Sequence, residues 1–209
     1  MKITALIVLL GFCFFPSQAF SQGKTLTVVY NNVPGESGFV TGWGFSCMVE
    51  GYAKTILFDT GQEGRILLGN LNRARFDPAG IDVLFLSHVH SDHTGGVTDL
   101  LGRNGSLEVY CPESFPSSFK EEIKKHSKAL HEVREPRQVC EGVWTTGVLG
   151  TEIKEQALVL DSERGLVIVT GCAHPGIVRI VRFASEHFHR NVYLLMGGFH
   201  LGNIDEKRM

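Results

Sequence analysis

Three imidazoles and a carboxylate fall within the six residues His88-Val89-His90-Ser91-Asp92-His93, directly behind the apolar run Ile81-Asp82-Val83-Leu84-Phe85-Leu86. Such a run reads as a buried strand, so the cluster sits on the loop at that strand's end. Extended backbone sends alternate side chains to the same side, which aims His88 and His90 together. Asp92 and His93 then turn toward a second position about one metal–metal distance away. Imidazole with carboxylate suits zinc, and also iron or manganese. Such a loop needs a rigid strand end to hold its ligands in fixed geometry.

The rest of the chain repeats that arrangement. A strand is expected over Leu26 to Asn31 and a hairpin over Phe45 to Glu50 and Thr55 to Phe58, the latter ending in Asp59-Thr60-Gly61. Helical spacing of Ile66, Leu67, Leu71 and Ala74 predicts a helix over Arg65 to Arg75, stopped by Asp77-Pro78. Leu107 to Tyr110 reads as a strand, and Ser117 to Leu130 as an amphipathic helix. A second hairpin, Ala157 to Asp161 with Leu166 to Val169, runs into Thr170-Gly171-Cys172-Ala173-His174-Pro175-Gly176. A helix over Gly176 to His187 and a strand over Val192 to Met196 follow, the strand ending in Gly197-Gly198-Phe199-His200. Polar, glycine-flanked loops thus close strands at Asp59, at His88 to His93, at Cys172 and His174, and at His200. Mostly antiparallel strands with interspersed helices point to an α/β sandwich whose strand ends converge on one edge.

The first 21 residues carry a different pattern. Lys2 is a short positive region, Ile3 to Phe15 is apolar, Pro16 breaks the run, and small-x-small cleavage patterns lie at Ser17-Gln18-Ala19 and Ala19-Phe20-Ser21. The expectation is a signal peptide over 1–21 and a periplasmic or secreted domain over 22–209. The net charge of −2 gives no electrostatic footprint for nucleic acid or an anionic membrane surface. A small-molecule substrate is therefore expected, with no nucleic acid and no membrane after signal cleavage. An oxidising compartment permits disulfides; Cys111 with Cys140 is the first pair to consider, and free buried thiols are an equal reading for Cys47 and Cys111. His126, His131, His187 and His189 show no ligand-like spacing and read as surface or structural.

Phe58-Asp59-Thr60-Gly61, the His-x-His-x-Asp-His cluster, Gly171-Cys172-Ala173-His174 and Gly-Gly-Phe-His resemble the metallo-β-lactamase fold superfamily. Tyr30-Asn31-Asn32, Trp43-Gly44-Phe45-Ser46, Thr170 to Val178 and Met196 to Leu201 resemble its dihydropterin ribofuranosylaminobenzene-phosphate synthase-like branch. The resemblance implies an αββα sandwich. Members of that branch continue past Gly-Gly-Phe-His-Leu, whereas this chain stops at Met209, so the expectation is a C-terminally truncated copy or one without the terminal half-layer.

The resemblance also implies two divalent metal ions, zinc, iron or manganese. His88, His90 and a later histidine would hold the first; Asp92, His93 and a further histidine would hold the second. His174 and His200 are the later histidines, and their assignment between the two sites stays open. Cys172 stands where many members carry a bridging aspartate; it is either a thiolate ligand or an inert buried thiol. Asp59 would support a ligand by hydrogen bonds without touching metal. Asp92 is the candidate catalytic residue. The leading reading is a hydrolase using a metal-activated water. The alternatives are a pterin-type synthase or transferase, as the branch name implies, and a non-catalytic metal- or partner-binding protein.

Overall fold

The computed structural model describes residues 23–35 and 38–199. The expected signal segment and His200 lie outside the described residues. The elements run β1 (Thr25–Tyr30), β2 (Ser46–Glu50), β3 (Ile56–Phe58), α1 (Gly64–Arg73), β4 (Val83–Phe85), α2 (Ser91–Thr94), α3 (Val97–Leu101), β5 (Glu108–Pro112), α4 (Ser117–His126), β6 (Ala129–Val133), β7 (Arg137–Cys140), β8 (Val143–Thr145), β9 (Leu158–Ser162), β10 (Gly165–Thr170), α5 (Ile177–Phe188) and β11 (Val192–Gly197). One sheet has the order β1-β2-β3-β4-β5-β6 and the other β11-β10-β9-β8-β7.

Period-two alternation builds the layers. On β3, Ile56 and Phe58 face the second sheet, where Val167 and Val169 of β10 join the same buried cluster. The intervening Leu57 turns outward onto a helical layer containing Leu67, Leu71, Leu100 and Ile123 from α1, α3 and α4. On β10, Leu166 and Ile168 turn outward against Ile180 and Ala184 of α5. Two sheets face each other with helices on both outer sides, an αββα sandwich, as the sequence led us to expect. No helix among the described residues is long and apolar enough to cross a membrane.

Among the described residues antiparallel pairs are a bare majority, five of nine, because β3-β4, β4-β5, β5-β6 and β10-β11 pair in parallel. Two further expectations need correction. The helix expected over 117–130 ends at His126, because Ser127 turns extended and Lys128 N donates to Leu107 O at 2.9 Å, starting a parallel ladder with β5. Leu130 is apolar for that strand's packing, and helical spacing could not distinguish the two uses. Cys111 and Cys140 are free thiols. Cys111 points from β5 into the helical layer, whereas Cys140 packs against the core between the sheets, so the two lie on opposite faces of the first sheet.

The parallel pairs matter for the site. They put the carboxyl ends of β3, β4 and β5 side by side, and those of β10 and β11 together opposite them. The loops carrying Asp59, His88 to His93 and Cys172 to His174 therefore meet at one edge of the sandwich.

Candidate metal centre

Asp59 leaves β3 with φ 52°, a left-handed conformation that aspartate tolerates better than most residues. Its backbone N–H extends the ladder to Phe85 O at 2.8 Å. This bend turns the carboxylate back under the β4 loop, where it is fully buried. Oδ1 accepts from Ser87 N at 2.7 Å, and Oδ2 accepts from Ser87 Oγ at 2.7 Å and from His93 Nδ1 at 2.6 Å.

Proton counting then fixes the next ring. Ser87 has one hydroxyl proton and gives it to the Asp59 carboxylate. Its oxygen lies 2.9 Å from His88 Nδ1, so Nδ1 donates to it. His88 Nε2 is left with a bare lone pair. That atom is buried and has no hydrogen-bond partner among the described residues. A buried acceptor with no donor is costly, and a cation is the partner that an imidazole lone pair in such a place fits.

His90 precedes α2, a helix of one turn in which His93 N and Thr94 N both donate to His90 O, at 3.0 and 3.1 Å. The turn swings His93 back under His88. Glycine behind it is sterically required: a Cβ on Gly95 would stand 2.0 Å from Gln62 O. The ring centroids of His88 lie 4.7 Å from His90, 4.3 Å from His93 and 4.8 Å from His174, and His90 lies 4.9 Å from His174.

Two groups of ligand atoms result, each within 4.8 Å of one another: His88, His90 and His174, and His88, His93 and Cys172. In the second, His93 Nε2 is 3.2 Å from Cys172 Sγ. Asp92 stands beside them with Oδ2 3.5 Å from His93 Nε2. The donor set of imidazole, thiol and carboxylate matches the chemistry of a first-row transition ion such as zinc.

The electrostatics agree with that donor set. Burial, reinforced by His93, His174 and His90, pushes the His88 imidazole down to about 2, so it stays neutral and able to donate its lone pair. Burial opposes charge on His93, but Asp59 outweighs it and raises the imidazole to about 12. Burial likewise raises the Asp59 carboxyl, with His93 pulling against it. In this pair the proton sits on His93, because the short contact to the carboxylate holds it there. The hydrogen bond with His93 lowers Asp92 to about 2. A cation arriving between His93, Asp92 and Cys172 takes the place of a proton.

The cluster opens into a cleft of about 900 Å³ whose walls include Trp43, His90, Asp92, His93, Cys172 and Gly198. Trp43 is 66% exposed there. The structure thus brings together His88, His90, Asp92, His93, Cys172 and His174, with Asp59 behind them. His126 pairs with Glu122, and His131 pairs with Glu108 and stacks on Tyr110, both away from the cluster.

Sequence reading missed the supports. Ser87 links Asp59 to His88. Glu155, 1% exposed, accepts from Thr170 Oγ1, Ala173 N and His174 N. Gln156 Nε2 donates to Leu86 O at 2.8 Å and ties the two sheets together under the site. A signal existed for the last two: Glu155-Gln156 sits against the apolar run Ala157-Leu158-Val159-Leu160 with no turn residue to excuse it.

The sequence profile of the metallo-beta-lactamase superfamily matches residues 44–186. A curated relative from Methanocaldococcus jannaschii, 7,8-dihydropterin-6-methyl-4-(beta-D-ribofuranosyl)-aminobenzene-5'-phosphate synthase, is 29% identical over 89% of this chain and 80% of its own. Among solved structures, Tm1679, described as a metal-dependent hydrolase of the beta-lactamase superfamily, superposes with a TM-score of 0.70 at 22% identity, over 88% of this chain and 80% of that one. A quorum-quenching N-acyl homoserine lactone lactonase superposes with a TM-score of 0.53 at 16% identity, over 88% of this chain and 92% of that one. At these identities the two structures speak for the fold alone.

Proposed function

This chain belongs to the metallo-β-lactamase superfamily, and from that premise we propose that it is a metal-dependent hydrolase acting on a small molecule in the cleft beside Trp43. The observation that carries the reading is His88 Nε2, a buried lone pair without a donor at the point shared by both ligand groups. His88, His90 and His174 would hold one divalent ion. His93, Cys172 and Asp92 would hold a second, with His200 as a further ligand. Bound there, zinc, iron or manganese would acidify a water and polarise the bond under attack.

The chain's own groups prepare that chemistry. Asp59 keeps the His93 ring aimed at Cys172, and Ser87 keeps the His88 proton on Nδ1. Asp92, held ionised by its contact with His93, faces the cleft and can accept a proton from the attacking water. The cleft stands at the sandwich edge, so substrate enters without rearrangement of the core. The proposed setting is periplasmic or secreted, on the strength of the N-terminal pattern of Lys2, the apolar run and the small-residue sites.

A second reading is favoured by one finding, the name of the Methanocaldococcus relative: the same centre would then serve a synthase reaction on a pterin precursor. The test is metal analysis of the purified full chain together with phosphodiester, ester and lactam substrates, with chelation and metal add-back. Hydrolysis lost on chelation and restored by zinc, iron or manganese supports the proposal. Full turnover in the chelated protein, or no metal uptake, refutes it.

A further inference from the structure

The turn Gly171-Cys172-Ala173 is strained and doubly employed. Ala173 takes φ 57°, a left-handed conformation that a non-glycine residue adopts only at a cost. The residues on either side of it serve different ligand groups: Cys172 the group with His93, and His174 the group with His90. One side chain grips this turn from behind. Glu155 Oε1 accepts from Thr170 Oγ1 at 2.8 Å and from Ala173 N at 3.1 Å, and Oε2 accepts from His174 N at 2.9 Å.

The rest of Glu155 is anchored. Its N–H donates to Leu149 O at 3.0 Å, and its C=O accepts from Leu149 N at 2.8 Å. Its carboxylate forms no ion pair with a lysine, arginine or histidine among the described residues, and all three of its donors are neutral groups. A buried carboxylate held only by neutral donors is an expensive feature for a fold to carry. A carboxylate is the side chain that accepts with both oxygens, and this turn offers a backbone N–H to each of them.

We infer that Glu155 is a positioning residue for the whole centre: by fixing the backbone of residues 170–174 it sets Cys172 and His174 together, and so couples the two metal positions. The inference rests on the metal-centre reading above. It places no contact between Glu155 and substrate. A glutamine at 155 keeps one acceptor oxygen and, whichever way its amide is turned, sets an NH2 group against Ala173 N–H or His174 N–H, so the strained turn is no longer held from both sides.

The test uses the full chain loaded with zinc or cobalt(II), comparing wild type with Glu155→Gln. Zinc affinity is read by chelator competition, and cobalt(II) reports the thiolate and imidazole ligands through its absorption spectrum. The expected result is a fall of about 10–100-fold in affinity at both positions, with a weakened thiolate–cobalt band. If Glu155→Gln does not fold, Thr170→Val removes one of the three bonds and is expected to weaken both positions by a smaller factor and to alter the same band. Affinities within about twofold of wild type with an unchanged spectrum, or a lower melting temperature alone, would overturn the inference while leaving the metal centre intact. A wild-type chain that takes up no metal would overturn the metal-centre reading and this inference with it.

Discussion

Replacing Asp59 with asparagine changes one atom and reverses a chain of proton assignments. Asparagine tolerates φ 52° as well as aspartate does, so the backbone need not move. Its oxygen can still accept from Ser87 N. Its NH2 group then faces Ser87 Oγ and His93 Nδ1, both of which donate to the carboxylate in the wild type. Ser87 Oγ turns to accept from the amide and sends its proton toward His88 Nδ1. His88 must then carry its proton on Nε2. His93 likewise accepts at Nδ1, so its one remaining proton is the one on Nε2 that a metal must displace. Both nitrogens that should face metal are then held as donors.

Loss of a supporting hydrogen bond to a ligand histidine lowers metal affinity by about 10–100-fold, which is about 1.4–2.7 kcal/mol at about 1.36 kcal/mol per decade. With two rings affected, Asp59→Asn is expected at the upper end of that range for both positions. The metal-free fold also loses half of a buried ion pair, worth about 3–5 kcal/mol when one partner is removed. Against a typical total of about 5–15 kcal/mol, the variant folds with a lower melting temperature. Competition with a chromophoric chelator on folded protein, with metal content measured in parallel, reads the affinity. Asp59→Asn that binds both metals within about twofold of wild type would refute the proton-counting argument.

Gly44 has φ +123°, and a Cβ there would stand 1.9 Å from Asp92 O. Gly44→Ala should therefore displace Asp92 and cost about 2 kcal/mol or more of stability, seen as a lower thermal midpoint with activity falling more than the folded fraction; an unchanged midpoint would contradict the contact. Cys172→Ser should abolish the thiolate–cobalt band while the bands from His88, His90 and His174 persist; a retained band would show that the sulfur in question is elsewhere. Lys54, Lys128 and His131 together hold Glu108 down at about 2 from its ordinary 4.5. A depressed carboxyl contributes stability above its unfolded value and loses it as pH falls through the folded one. The stability gap between wild type and Glu108→Gln should thus be full above pH 4.5 and close as pH drops toward about 2; a gap that is independent of pH in acid unfolding would rule out the ion pairs as its source.

The local pattern carried much of this molecule. An apolar run followed by His88, His90, Asp92 and His93 is a strand and its end loop, and both facts follow from residues close in sequence. The hairpin at β9 and β10, and the helix α5 behind it, were legible for the same reason. What local pattern could not decide was partnership. The stretch 127–133 became a strand only because β5 offered a free edge, and Cys111 and Cys140 were separated only by which face of a sheet each one takes. Asp59 meets Ser87 across 28 residues of sequence and His93 meets Cys172 across 79. Glu155 reads in sequence as an odd charge before a strand; its use appears only when β10 is laid beside it and the N–H groups of residues 173 and 174 turn inward. Ligand type and strand-end position are properties of short segments, so sequence by itself determines them. Which lone pair is left without a donor depends on contacts between segments far apart in the chain, and only the packed sandwich decides that.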